Sequence, residues 1–318
     1  MSSPNPFSRL AFVFPGQGSQ SVGMLSGLAA SRPEVESTFR EASDLLGFDL
    51  WRLIREGPAE DLDRTVNTQP ALLAAGVAVY RAWRAAGGER PAVSAGHSLG
   101  EYTALVCAGA LSFADGLRLV RRRAELMQEA VPAGAGAMAA VLGAEEALVE
   151  EACKVGRGSG IVEAANDNAP GQIVIAGERA AVEAALAWLA TQGVRKAVRL
   201  PVSVASHCSL MKSAAERLAE DLARLELRMP EIPVIHNAEA RAAHDVEDMR
   251  ALLYQQLFRP VRWRACVERL GEGALRVGEC GPGRVLTGLV RRIRPDAEVR
   301  PLGEAEVFAK SVEEWRAA

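Results

Sequence analysis

The tightest constraint on the fold is Gly96-His97-Ser98-Leu99-Gly100, which stands between a short strand, Pro91 to Ala95, and a segment of helical composition, Glu101 to Cys107. A chain that passes from strand to helix in so few residues must turn sharply. A serine at the apex of such a turn projects its hydroxyl out of the sheet, the arrangement of a nucleophile elbow. Glycine is needed on both sides, because a Cβ two residues before or after the serine would crowd the neighbouring strand and helix. The helix that starts after Ser98 also points free N–H groups and a positive dipole end at the place where an oxyanion would form. The five-residue pattern alone also fits a glycine-rich connection that carries an incidental serine.

The rest of the chain decides what surrounds that turn. Leu10 to Phe14 is an apolar run stopped by Pro15-Gly16-Gln17-Gly18, and Leu72 to Trp83 has helical spacing ended by Gly87-Gly88. From Ala137 the pattern changes. Ala137 to Leu142 reads as a strand and Ala144 to Val155 as a helix. Ile161 to Ala165 and Gln172 to Ala176 read as strands around a Pro170-Gly171 turn, Glu178 to Gln192 as a helix, and Arg195 to Leu200 as a strand ended by Pro201. This β-α-β-β-α-β order is that of a ferredoxin-like unit. It predicts an inserted subdomain over 137–201 and a large α/β domain formed by 1–136 and 202–318. The return segment supplies a strand at Val234 to His236, a helix near Met249 to Leu257, and Leu275 to Gly278 running into Gly281-Pro282-Gly283.

Bulk properties exclude several classes. The 318 residues carry a formal net charge of -3, so no blanket of positive potential favours nucleic acid or an anionic membrane. No apolar run approaches the roughly 18 residues of a membrane helix. The N-terminus shows no secretory pattern, which predicts a cytoplasmic protein. The five cysteines are odd in number and scattered without a C-x-x-C pair, so reduced structural thiols are expected and no zinc or disulfide framework.

A serine nucleophile needs a base, and the chain has four histidines. His97 adjoins Ser98, but neighbours at an elbow point in different directions. His244 sits among Arg241, Asp245, Glu247 and Asp248 in what reads as a solvated loop, and His236 ends an apolar strand as a structural histidine would. His207 follows Val202-Ser203-Val204-Ala205-Ser206, where the chain leaves the small unit, and junctions between units are where clefts form. No acidic residue presents itself as the third member of a triad, and a backbone carbonyl can orient an imidazole instead. The glycines of Phe14-Pro15-Gly16-Gln17-Gly18-Ser19-Gln20 would let a second amide approach the elbow. That loop fits a dinucleotide fingerprint poorly, because Ser21 stands at the third glycine position.

Phe113, Leu117, Val120, Ala124 and Met127 form an apolar helical stripe that contains Arg121-Arg122-Arg123. On the helical wheel Arg122 points away from the stripe, while Arg121 and Arg123 flank it at about 80° on either side. Either flanking guanidinium can reach a cleft and grip a carboxylate in the paired geometry that lysine lacks. Three surface arginines with their stems on the protein are the plain alternative.

Taken together, Phe14-Pro15-Gly16-Gln17-Gly18-Ser19-Gln20, Gly96-His97-Ser98-Leu99-Gly100-Glu101, Asn168-Ala169-Pro170-Gly171-Gln172, Ser206-His207 and Gly281-Pro282-Gly283 resemble the malonyl-CoA:acyl carrier protein transacylases, with the motifs in family order. The resemblance implies an α/β-hydrolase-like large domain with a ferredoxin-like insertion. It implies Ser98 as nucleophile, His207 as base, the backbone amides of Gln17 and Leu99 as oxyanion hole and Arg123 as the grip on the malonyl carboxylate. The pattern Gln256-Leu257-Phe258-Arg259-Pro260-Val261-Arg262-Trp263 implies the Gln256 carbonyl as the group that orients the histidine. It further implies a two-step exchange from malonyl-CoA to acyl carrier protein through a malonyl ester, in fatty acid or polyketide synthesis. No metal or redox cofactor is expected, and the chain is expected to act as a monomer.

One departure bears on substrate. Val204-Ala205-Ser206-His207 is nearer the Y-A-S-H run of methylmalonyl-selective relatives than the H-A-F-H of malonyl-selective polyketide ones, although the tyrosine is absent. Malonyl is the expected acyl group and methylmalonyl a minor one. Two rivals remain open: a serine hydrolase or thioesterase, in which water replaces the carrier thiol, and an inactive carrier-docking module.

Overall fold

A computed structural model describes residues 9–132, 134–200, 204–273 and 275–315. Its strands in chain order are β1 (Leu10–Phe14), β2 (Val93–Gly96), β3 (Gly136–Leu142), β4 (Val162–Ala169), β5 (Gln172–Glu178), β6 (Lys196–Arg199), β7 (Val234–Ile235), β8 (Arg276–Glu279) and β9 (Glu298–Pro301). They form two sheets, a five-stranded one in the order β7-β2-β1-β8-β9 and a four-stranded one in the order β4-β5-β3-β6.

Every pairing in the first sheet is parallel. Parallel strands are covered on both faces and read as continuous apolar runs, which is why Leu10–Phe14 is buried along its whole length. Its side chains alternate between two cores. Leu10, Phe12 and Phe14 pack with the helices Thr65–Ala85 and Phe113–Ala130, through residues such as Leu73, Trp83 and Leu117. Ala11 and Val13 pack on the opposite face with Trp263, Val267, Leu286 and Val290. The loops after β1 and β2 leave the same C-terminal edge of this sheet, the edge at which open parallel sheets bind ligands. One loop carries Gln17 and the other Ser98.

The second sheet is antiparallel throughout. Ala137, Ala139 and Val141 face the helices Glu146–Gly156 and Arg179–Thr191, whereas Met138, Val174 and Ala176 turn the other way, onto Ala205 and Cys208. A two-residue turn, Pro170-Gly171, joins β4 to β5, with Gly171 at a φ of 68° that glycine adopts without strain.

The expected elements are present, most of them with shifted ends. The long helix begins at Thr65, well before Leu72, and continues through Pro70. β4 runs on to Ala169 because register shifts between Ala164 and Asn166 and between Asp167 and Ala169 let it bend while still paired. That bend brings β4 against the large unit, where Asp167 N donates to Val261 O at 3.0 Å and Val261 N to Ala165 O at 2.9 Å. Pro201, expected to end β6, lies with Val202 and Ser203 outside the described residues. Cys153, Cys208, Cys266 and Cys280 are buried free thiols, and Cys107 is a partly buried one. Among the described residues no helix is long and apolar enough to cross a membrane, and no group of three or more His, Cys, Asp or Glu is placed to hold a metal ion.

Candidate active site

Ser98 occupies the left-handed region, at φ 50°. A Cβ on Gly96 would lie 1.8 Å from the Gly100 carbonyl carbon, and one on Gly100 would lie 2.0 Å from Phe14 O. Strand, turn and helix are therefore closer than any side chain allows. Gly100 N, Glu101 N and Tyr102 N donate to the carbonyls of His97, Ser98 and Leu99, so the first turn of the helix Gly100–Cys107 uses its own amides. Ser98 N donates to Asn237 Oδ1 at 2.8 Å. Among the described residues the amides of Leu99 and Gln17 have no acceptor, and both residues line the cavity at the edge of the sheet. The side chain of Gln17 is anchored away from its own backbone, its Nε2 donating to Thr65 Oγ1 at 2.7 Å.

His207 reaches this turn from a different part of the chain. Its φ is 61°, its amide donates to Leu257 O at 3.0 Å, and it is 2% exposed. Nε2 lies 2.7 Å from Ser98 Oγ and Nδ1 lies 2.7 Å from Gln256 O. A carbonyl can only accept, so the proton sits on Nδ1 and the Nε2 lone pair faces the serine hydroxyl. Burial, followed by the nearby Arg123 charge, pushes the imidazole down from its ordinary 6.5 to about 3. The ring is neutral across the physiological range and free to take a proton from Ser98.

Arg123 is 1% exposed, and burial lowers its affinity for its proton. Its Nη1 donates to Gln69 Oε1 at 2.9 Å and its Nη2 to Gln256 Oε1 at 3.1 Å and Ser98 Oγ at 3.2 Å. These acceptors are uncharged, Nε has no partner, and the guanidinium lies 5.4 Å from the centre of the Tyr102 ring. Glu101 acts on the guanidinium only through space, with Gln256 between them, and a buried cation without a directly paired carboxylate is costly unless an anion joins it. The cavity that Arg123 lines is bounded also by Val174, Leu200, Leu286 and Leu289, together with Ser98 and His207.

An acyl transferase domain model matches residues 11–287. The malonyl CoA-acyl carrier protein transacylase of Escherichia coli K12 is 50% identical over 307 residues, covering 96% of this chain and 99% of that protein. The chain belongs to the malonyl-CoA:acyl carrier protein transacylase family. Two solved transacylases agree with it across their length. That of Xanthomonas oryzae pv. oryzae superposes with a TM-score of 0.95 at 55% identity, covering 98% of this chain and 99% of the other. A malonyl-transacylase solved with its type II polyketide acyl carrier protein gives 0.94 at 48% identity, covering 96% and 100%.

In this acyltransferase Ser98, His207, Arg123 and Gln256 come together by direct hydrogen bonds, and Gln17 and Leu99 line the same cavity. The remaining histidines lie apart from the serine hydroxyl. His97 turns its Nε2 to Asn168 Oδ1 at 2.7 Å, His236 is buried against Glu101 at 2.7 Å, and His244 is exposed. Arg121 donates to Leu46 O and Arg122 pairs with Asp221, so only Arg123 of the three enters the site. The sequence did not single out Gln69, Asn237 or a role for Glu101. These are contacts across 54 to 139 positions of chain, with no local pattern to mark them.

Proposed function

We propose that this chain moves a malonyl group from malonyl-CoA to the phosphopantetheine thiol of an acyl carrier protein through an ester on Ser98. The observation that carries the reading is one oxygen, Ser98 Oγ, held 2.7 Å from a neutral imidazole nitrogen and 3.2 Å from a buried guanidinium. His207 Nε2 takes the Ser98 proton as Oγ bonds to the thioester carbon. The amides of Gln17 and Leu99 receive the oxyanion, each such donor being worth about 2.7 to 4 kcal/mol of barrier. The C–S bond then breaks, and coenzyme A leaves with the proton from His207. In the second half the carrier thiol gives its proton to His207 and attacks the ester, and Ser98 regains its hydrogen.

Arg123 supports malonyl over acetyl, since a free carboxylate supplies the direct ion pair that its buried charge lacks. Val204, in place of a tyrosine, lines the same cavity and leaves methylmalonyl as a minor substrate. The thioester supplies the driving force, so the route calls for no metal or redox cofactor. One chain supplies every group named here, which supports a monomer, and we assign it to the cytoplasm. The five-stranded parallel sheet with its serine elbow supports an α/β-hydrolase-like large domain. The β4-β5-β3-β6 order supports a ferredoxin-like unit over 137–201.

The test is the intact mass of the protein after mixing with malonyl-CoA. The unaltered chain gains one malonyl group and Ser98→Ala gains none. A malonyl adduct on Ser98→Ala would place the nucleophile elsewhere.

A further inference from the structure

Behind the elbow, on the side away from the cavity, lies a polar cluster that takes no part in the bond-making steps. Asn237 follows β7 and is fully buried. Its Oδ1 accepts from Ser98 N at 2.8 Å, its Nδ2 donates to Gly96 O at 2.7 Å, and its own amide donates to Glu101 Oε2 at 2.8 Å. That Glu101 oxygen also accepts from Gln256 Nε2 at 2.9 Å, and the other accepts from His236 Nδ1 at 2.7 Å. Gln256 Nε2 in turn reaches Ser98 O at 2.8 Å. The Asn237 amide group therefore spans the turn, holding one atom on the strand side and one at the serine itself.

This matters because Ser98 sits at a positive φ that residues with a side chain adopt only when held there. The bond from Ser98 N to Asn237 turns that amide backward, which leaves the next amide, Leu99 N, as the one available to the cavity. We infer that Asn237, fixed by Glu101, is a positioning residue that clamps the elbow and decides which backbone amide faces the reacting carbonyl. The inference rests on Ser98 being the nucleophile.

Asn237→Asp tests it with little change in size. The carboxylate keeps an acceptor for Ser98 N but sets its second oxygen against Gly96 O, acceptor against acceptor, until a proton restores the donor. The titratable groups packed around it are Glu101, His236 and Cys266, all buried. Burial beside a second acid raises the new carboxyl above the usual carboxylate range. Labelling of Ser98 by a fluorophosphonate, read by intact mass, reports nucleophilicity without depending on the acyl group. At about pH 8 the variant should label at least about tenfold more slowly than the unaltered enzyme and recover toward about pH 6, while the unaltered enzyme stays flat. Equal rates at pH 8, or slowing by the same factor at every pH, would overturn the clamp alone. An unaltered enzyme that does not label at Ser98 would overturn the nucleophile reading and the clamp with it. Amide hydrogen exchange in the unaltered enzyme needs no variant: Ser98 N–H should exchange at least about tenfold more slowly than Leu99 N–H, and the reverse order would refute the assignment.

Discussion

The two sides of the turn at Ser98 differ in how far their polar groups are paired. Behind it both oxygens of Glu101 and every polar atom of the Asn237 side chain have partners within the protein, and His236 Nε2, at the far end of the cluster from Ser98, is unpartnered. In front of it Arg123 Nε is unpartnered, the guanidinium's acceptors are neutral, and among the described residues the amides of Gln17 and Leu99 have no acceptor. The back is fully buried, whereas the front opens on the cavity, with Gln17 exposed and Ser98 partly so, and its free donors are open to solvent or a ligand. A saturated network fixes geometry, because each donor that moves would lose a bond that nothing replaces. An unsaturated one can bind whatever completes it, which in the proposed reaction is an anionic acyl group and a developing oxyanion.

Substitutions on the front side test that contrast most strongly. Ser98→Ala removes the atom on which the front-side groups converge, and transfer should fall by about four to six orders of magnitude, measured as malonyl-carrier formed per unit time. Arg123→Ala should lower malonyl transfer by about 10² to 10³ and narrow the preference over acetyl-CoA, because the buried charge that a carboxylate answers is gone. Competition between the two thioesters measures this, and undiminished malonyl transfer would remove Arg123 from the assigned role. Gly100→Ala forces a Cβ toward Phe14 O, and should cost about 1 to 3 kcal/mol or more in denaturant unfolding.

The smallest effect is on pH. Because His207 is pushed down to about 3, kcat/KM for malonyl-CoA should show no acid limb between about pH 5.5 and 8. A limb near 6.5 would mean a solvated base. The same shift acts on stability. The unfolded chain binds a proton at this ring below about 6.5 and the folded one does not, so stability is full above that pH. It should fall below it by up to about 1.4 kcal/mol per pH unit from this group.

The sequence makes the front side far easier to read than the back. Leu10–Phe14 has the bounds that its apolar run predicts, and the β-α-β-β-α-β succession appears in order, because local periodicity and turn residues set both. Ser98 is legible because its glycines answer a steric demand within five residues. The segment that follows β6 makes His207 the base candidate, and the structure sets its Nε2 2.7 Å from Ser98 Oγ. Arg121 and Arg123 are symmetric on the helical wheel, and what separates them is a contact with Leu46 O on one side and the cavity on the other. Asn237 and Glu101 belong to pairings more than 130 positions apart, and neither residue carries a periodic or turn signal.

The most direct test of the account follows the fate of the isolated malonyl-enzyme. Freed of coenzyme A, it should keep its ester in buffer and lose it to malonyl-carrier when a phosphopantetheinylated acyl carrier protein is added. Release of free malonate at the same rate with or without the carrier would contradict the account and make the chain a hydrolase.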